Sequence, residues 1–196
     1  MSAPEFDPRQ ESAAKLEHAA QRASDDMPSV GVETLPHAVG LPPLAPATGG
    51  SSGYDLRAAV QEEIVIQPGC VRLVPAGIRL EIPPGFEAQV RARSGLALRA
   101  GIGVLNSPGT IDSDYRGEVQ VLLVNLGDAP FRIGRGERIA QLVVQRVARA
   151  RLIEVAGIAQ TQRGAGGFGS TGVKRNATRK SSRPASRKSK RGRPAR

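Results

Sequence analysis

The segment Gly109-Thr-Ile-Asp-Ser-Asp-Tyr-Arg-Gly-Glu-Val119 sets carboxylates, a guanidinium and a phenol beside one another between apolar flanks. A carboxylate in such a place is a candidate general base. Asn106-Ser-Pro-Gly109 supplies turn chemistry just before the segment, and Val119 to Asn125 reads as a strand just after it. The expected local structure is a β-hairpin or a strand-loop-strand carrying Asp112, Asp114, Tyr115 and Arg116 at its tip. On a regular strand Asp112 and Asp114 would share one face and Tyr115 would take the other. The plain alternative is an acidic surface turn with solvated aspartates and Arg116 as an ion-pair partner.

Other donors lie elsewhere in the chain. Arg93-Ser-Gly95 offers a guanidinium fork, a hydroxyl and a glycine amide; its plain alternative is a β-turn after a strand. Gln141 adds an uncharged amide. Gly164 to Gly172 holds five glycines in nine residues, a composition that suits a linker, yet Phe168 with Arg163 before it and Ser170-Thr171 after it suits a lid better. The chain has no Walker-type Gly-Lys-Ser/Thr and no His or Cys cluster at metal-ligand spacing. Its two histidines, His18 and His37, stand outside all these stretches and are expected to be surface or packing residues. With no covalent nucleophile supported, a water activated by a carboxylate remains.

The elements that must position these groups are strands. Glu63 to Ile66, Val71 to Val74, Gly77 to Ile82, Phe86 to Arg93, Val119 to Asn125, Phe131 to Ile133, Arg138 to Val147 and Leu152 to Val155 are separated by Gly and Pro turn signals. A first strand near Val32 leads into a long Pro- and Gly-rich loop, and Leu96 to Ala100 fits one helical turn. Aromatics make up only 3% of the chain, so the core must come from Val, Ile, Leu and Ala. Such spacing predicts an all-β sandwich or barrel.

Residues 1–29 read as a flexible extension, with a weakly amphipathic helical stretch around Gln10 to Ala23. The β domain is expected over 30–160, the Gly-rich arm over 161–172 and a basic disordered tail over 173–196. That tail holds 11 of the 28 Lys and Arg and none of the 18 Asp and Glu, so the rest of the chain is close to neutral. Lys190-Arg-Gly-Arg-Pro194 resembles an AT-hook core, which makes DNA or another polyanion a candidate partner; the bland reading is a solubilising extension. Cys70 stands alone, so no internal disulfide forms. No secretory signal or apolar run of spanning length is visible, and a soluble cytoplasmic protein with no membrane contact is expected.

Taken in order, Ser52-Gly-Tyr-Asp-Leu56, Arg93-Ser-Gly-Leu-Ala97, Gly109 to Val119, Arg138-Ile-Ala-Gln-Leu142 and Arg163 to Gly172 resemble the motifs of the trimeric dUTPases. The resemblance covers roughly residues 30 to 172. It implies a distorted jelly roll of the β-clip type and hydrolysis of dUTP to dUMP and pyrophosphate. By the same resemblance Asp112 is the base that activates water for attack on the α-phosphorus. Mg²⁺ would neutralise the triphosphate, with Asp55 holding its water shell. Arg93, Ser94, Gly95 and Gln141 would bind phosphates, and Arg163, Gly169, Ser170 and Thr171 would join them when the lid closes with Phe168 stacked on uracil. Asn106, Thr110, Ile111 and Gln120 would face the uracil edges, Tyr115 would pack on the sugar and exclude a ribose 2′-hydroxyl, and Asp114 and Arg116 would be structural. A homotrimer with sites shared between subunits is also implied. The dCTP deaminases share this fold and several motifs and form the competing enzyme reading; a nucleic-acid binder acting through the tail is the competing reading of another class.

Overall fold

The structure, a computed structural model, describes residues 27–166. The chain divides into two units, one ending at Ala150 and the other starting at Arg151. In the first unit the described strands are β1 (Gly31–Thr34), β2 (Tyr54–Arg57), β3 (Ile64–Ile66), β4 (Val71–Pro75), β5 (Ile78–Glu81) and β6 (Phe86–Arg91). After the helix α1 (Ser94–Ala100) come β7 (Ile102–Val104), β8 (Gly109–Ile111), β9 (Gln120–Asn125), β10 (Phe131–Ile133) and β11 (Arg138–Arg146). They form sheets of order β2-β11-β6-β8, β4-β9-β7, β1-β5 and β10-β3, and each pairing is antiparallel.

Alternation explains how these short strands find a core. Along β6 Ala88 and Val90 are buried while Glu87, Gln89 and Arg91 share the opposite face. Strand β11 buries Ile139, Ala140, Leu142 and Val143 between its two neighbours. With Leu56, Ile66, Val74, Leu80, Leu123 and Ile133 they belong to an interior of aliphatic side chains, as the scarcity of aromatics demands. Asn125 is the buried polar residue among the described ones. Its Nδ2 donates to the Ile66 and Ala129 carbonyls, and its Oδ1 accepts from Gly127 N–H, so no polar group is orphaned.

Three local expectations change. Of the two forms expected for Gly109 to Asn125, the strand-loop-strand holds and the hairpin does not: β8 pairs with β6, whereas β9 pairs with β4 and β7, so the intervening loop passes from one sheet to another. Within that loop Tyr115 N–H donates to the Asp112 carbonyl at 3.1 Å, which closes a turn and removes the strand alternation expected to make Asp112 and Asp114 neighbours. Leu152 to Val155 forms no strand. Strand propensity measures fit to a half-buried pleated surface, and here Leu152, Ile153 and Val155 are exposed and irregular. The helix, by contrast, starts earlier than its apolar residues suggest, at Ser94.

Candidate active site

Strand register gathers the first group of predicted residues. Gln141 on β11 lies opposite Asp55 on β2 and opposite Arg91 on β6, and directly opposed residues share a face. Two residues beyond Arg91 the chain is still extended, at Arg93, before it turns into α1. A single cleft is therefore lined by Ser52, Gly53, Asp55, Arg93, Ser94 and Gln141, with Arg91, Gly95 and Arg138 completing its polar wall.

Ion pairs order this cleft. The Asp55 carboxylate accepts from Arg93 Nε at 3.0 Å and from Arg138 Nη1 at 3.2 Å. Arg93 also donates through Nη1 to the Arg138 carbonyl at 3.2 Å, and Gln141 Nε2 donates to the Ala92 carbonyl at 3.0 Å. Arg91 donates twice to Gln89 Oε1, which fixes its guanidinium along the β6 ladder. Asp55 and Arg93 are only 18% and 23% exposed, so this pair is held rather than free to swing. Three guanidiniums against one carboxylate leave the cleft with an excess of positive charge and several N–H donors, which suits an anion with multiple oxygens. The first amides of α1, at Ser94 and Gly95, have no acceptor within the helix and add to that character.

A second cleft is lined by Thr110, Ile111, Asp112, Tyr115 and Gln120, together with Glu118 and Leu73. Asp112 is exposed there. Arg116 Nη1 donates to the carbonyls of Ser113 and Tyr115, so its task is to hold the loop, as expected. The two clefts share no residue. Register gives the reason: Ile111 pairs with Ala88 and Gly109 with Val90, so Asp112 leaves β8 beside Glu87 whereas Arg93 lies beyond the other end of β6, about 20 Å along an extended strand.

Of the other predicted residues, Asn106 lines neither cleft. Asn106 is exposed in the turn between β7 and β8, just before a cis Ser107-Pro108 peptide. Arg163 belongs to the second unit, where its Nε donates to the Gly166 carbonyl at 3.0 Å. Phe168, Gly169, Ser170 and Thr171 lie outside the described residues. Two arginines of the cleft were given no role from the sequence. Arg91 sits two positions before Arg93, and period-two alternation was signal enough to place both on one face. Arg138 heads its own motif, but a register shift between Arg138 and Ala140 breaks the alternation that would have aimed it.

The first unit is an antiparallel all-β fold that presents a cationic cleft and, apart from it, an acidic and aromatic loop. Residues 41–172 match the dUTPase family model. The deoxyuridine 5′-triphosphate nucleotidohydrolase of Methylocella silvestris is 57% identical over 147 residues, covering 74% of this chain and 92% of that protein. The enzyme of the same name from Brucella melitensis is 59% identical over 153 residues, covering 77% and 98%. The chain belongs to the dUTPase family. Among solved structures, a mutant dUTPase of Staphylococcus bacteriophage 80alpha with dUpNHpp matches at a TM-score of 0.67 and 23% identity, over 74% of this chain and 99% of that one. A dUTPase from phage phi11 of S. aureus, described with a structural Mg(II) ion, matches at 0.59 and 19% identity, over 66% and 97%. At such identities these two report the shared jelly-roll fold.

Proposed function

We infer that this chain hydrolyses dUTP to dUMP and pyrophosphate. The observation that carries the reading is the convergence of Ser52 to Asp55, Arg93 to Gly95 and Arg138 to Gln141, far apart in sequence, on one cationic cleft fit for a triphosphate. Such hydrolysis limits uracil incorporation into DNA and supplies dUMP for dTMP synthesis. The reading places the enzyme with the nucleotide pool of the cytoplasm; among the described residues no helix is long and apolar enough to cross a membrane. Residues 30–160 form the catalytic domain, 161–172 the lid arm, and 1–29 and 173–196 extensions.

In this reading Arg93, Ser94, Gly95 and Gln141 hold phosphate oxygens. Asp112, exposed and free of a guanidinium partner in its own cleft, orients water toward the α-phosphorus and accepts its proton. Thr110, Ile111, Gln120 and Asn106 read the uracil, and Tyr115 packs on the deoxyribose. Arg163, Phe168, Gly169, Ser170 and Thr171 close over the nucleotide and exclude water. Asp112 and Arg93 of one chain are too far apart to act on one phosphate group, and this separation supports a homotrimer in which each site pairs the loop of one copy with the cationic cleft of another.

Mg²⁺ fits the donors present. Asp55 is the single acidic side chain of the phosphate cleft, and each of its oxygens keeps a lone pair beyond the guanidinium it already accepts from. One carboxylate beside bound phosphates is a usual setting for this ion, which keeps much of its water. When bound, Mg²⁺ would offset the charge of the triphosphate and of the leaving pyrophosphate, with Asp55 facing its water shell. The arginines and amides would bind the remaining oxygens. Contact of the 173–196 segment with DNA or another polyanion rests on its charge and on the AT-hook-like Lys190-Arg-Gly-Arg-Pro194.

The test is to incubate the protein with dUTP and with dCTP separately and to chromatograph the products. dUMP and pyrophosphate from dUTP alone is the expected outcome; dUTP formed from dCTP would turn the assignment to a deaminase.

A further inference from the structure

His37, expected to be a surface or packing residue, meets the loop of the second cleft. Its Nε2–H donates to Glu118 Oε1 at 2.8 Å across 81 residues of sequence. The same carboxylate oxygen accepts from Gly77 N–H at 2.9 Å. Glu118 thus has a half-buried side chain pulled toward the body of the domain from two directions. At its other end the Glu118 carbonyl accepts from the Tyr115 hydroxyl at 3.0 Å.

The surroundings of both ends are rigid. Gly77 has φ of +68°, and a Cβ there would lie 2.2 Å from the Ala38 Cβ and 2.7 Å from that of Ala59, so only glycine brings this amide so close to the turn that bears His37. That 3-10 turn, Pro36–Ala38, is fastened by Arg135, which donates to the carbonyls of His37 at 2.6 Å and Val39 at 3.0 Å. Val119 exchanges backbone hydrogen bonds with Ala76 and Ile78, 2.9 and 2.8 Å long, and so pins the chain directly after Glu118. On the loop side, a Cβ at Gly117 would fall 2.3 Å from the Tyr115 hydroxyl oxygen; the phenol lies against a bare backbone. Tyr115 itself is 46% exposed, so its ring is held by these few contacts and not by a surrounding core.

We propose that Glu118, tethered through its carboxylate to His37 and Gly77, is the positioning residue that sets where the Tyr115 ring stands, and with it the discrimination between deoxyribose and ribose nucleotides. The inference rests on the reading of Tyr115 as the residue that packs on the sugar. A ring displaced by a fraction of an ångström would open room for a 2′-hydroxyl, and a small steric change of that kind is enough to shift selectivity. Neither His37 nor Glu118 touches the reacting atoms in this scheme. Both act through Tyr115.

The experiment compares kcat/KM for dUTP and for UTP in the full chain and in five variants: Tyr115→Ala, Glu118→Ala, His37→Ala, His37→Gln and the double Glu118→Ala/His37→Ala. The dUTP to UTP preference should fall by roughly tenfold in Glu118→Ala and about threefold in His37→Ala, as expected for residues in one hydrogen-bonded network. Most of the loss for dUTP should be in KM. His37→Gln, whose amide can still donate to the carboxylate, should recover part of the preference, and the double variant should be no worse than Glu118→Ala. If Tyr115→Ala leaves the preference intact, the sugar reading fails first. If Tyr115→Ala erodes it while Glu118→Ala and His37→Ala only lower the melting temperature, the tether is overturned and the sugar reading stands. Should Glu118→Ala not fold, the half-exposed His37 still decides the matter.

Discussion

The two clefts solve different problems by different means. The cationic cleft is laid out on paired strands: Gln141 is locked between Asp55 and Arg91 by backbone ladders, and Asp55 is gripped by two arginines. The acidic loop leaves its ladder at Ile111 and regains backbone pairing at Val119, and between them side-chain and turn hydrogen bonds hold it. Binding a triphosphate calls for many fixed donors, which a sheet places cheaply. Choosing a base and a sugar calls for a shaped edge, which a loop can offer only if it is tethered. Separation of the two on a single chain is what the proposed sharing of a site between copies answers.

The sharpest blow to this contrast is at the base. Asp112→Asn keeps the size of the side chain but loses the basic carboxylate, so turnover should fall by roughly 10² to 10⁴ while dUTP still binds. Steady-state rates with a binding titration separate the two, and near-normal turnover would place the base elsewhere. Arg93→Ala should act on the other cleft, lowering kcat/KM by about 10² mainly through KM, because a charged hydrogen-bond donor to phosphate is lost and Asp55 keeps only Arg138.

Mixing those two variants sharpens the comparison. If each site takes Asp112 from one copy and Arg93 from another, co-assembled chains should regain about a quarter of full activity, the chance that both contributors are intact. No recovery in mixed assemblies, confirmed by light scattering and mass spectrometry, would put both clefts to work within one chain. Truncation after Gln160, which removes Arg163, Phe168, Ser170 and Thr171, should lower turnover by about 10² by leaving the site open to water. The smallest effect belongs to truncation after Gly172: dUTP turnover should stay nearly intact, while any salt-sensitive retention on DNA disappears. Loss of turnover there would make the basic tail part of the enzyme.

Much of this architecture was legible in the residues. Most of the expected strands formed within a residue or two of their predicted bounds, because alternation and Gly-Pro punctuation act over a few residues. The run at Leu152 to Val155 failed because β propensity is realised only against a neighbour. The hairpin failed for a related reason: whether β9 pairs with β8 or with β4 is decided by contacts across some fifty residues, to which local pattern is blind. His37 is the surface or packing residue expected, but its partner was not legible, since an isolated histidine among prolines and small residues carries no mark of Glu118.

The chain's own sequence determined which chemistries were present: the Asp112 carboxylate, the Arg93 fork, the neutral body and the basic tail, all of them properties of residue type and short spacing. Tertiary structure alone decided which of these groups meet. Gln141 faces Asp55 and Arg91 because of register, Arg138 reaches Asp55 across a register shift, and Glu118 is caught between His37 and Gly77 by a close approach of segments distant in sequence. Strand pairing is a long-range choice in which a slip of one residue reverses every side chain, so the faces of a site emerge only once the whole sheet has closed.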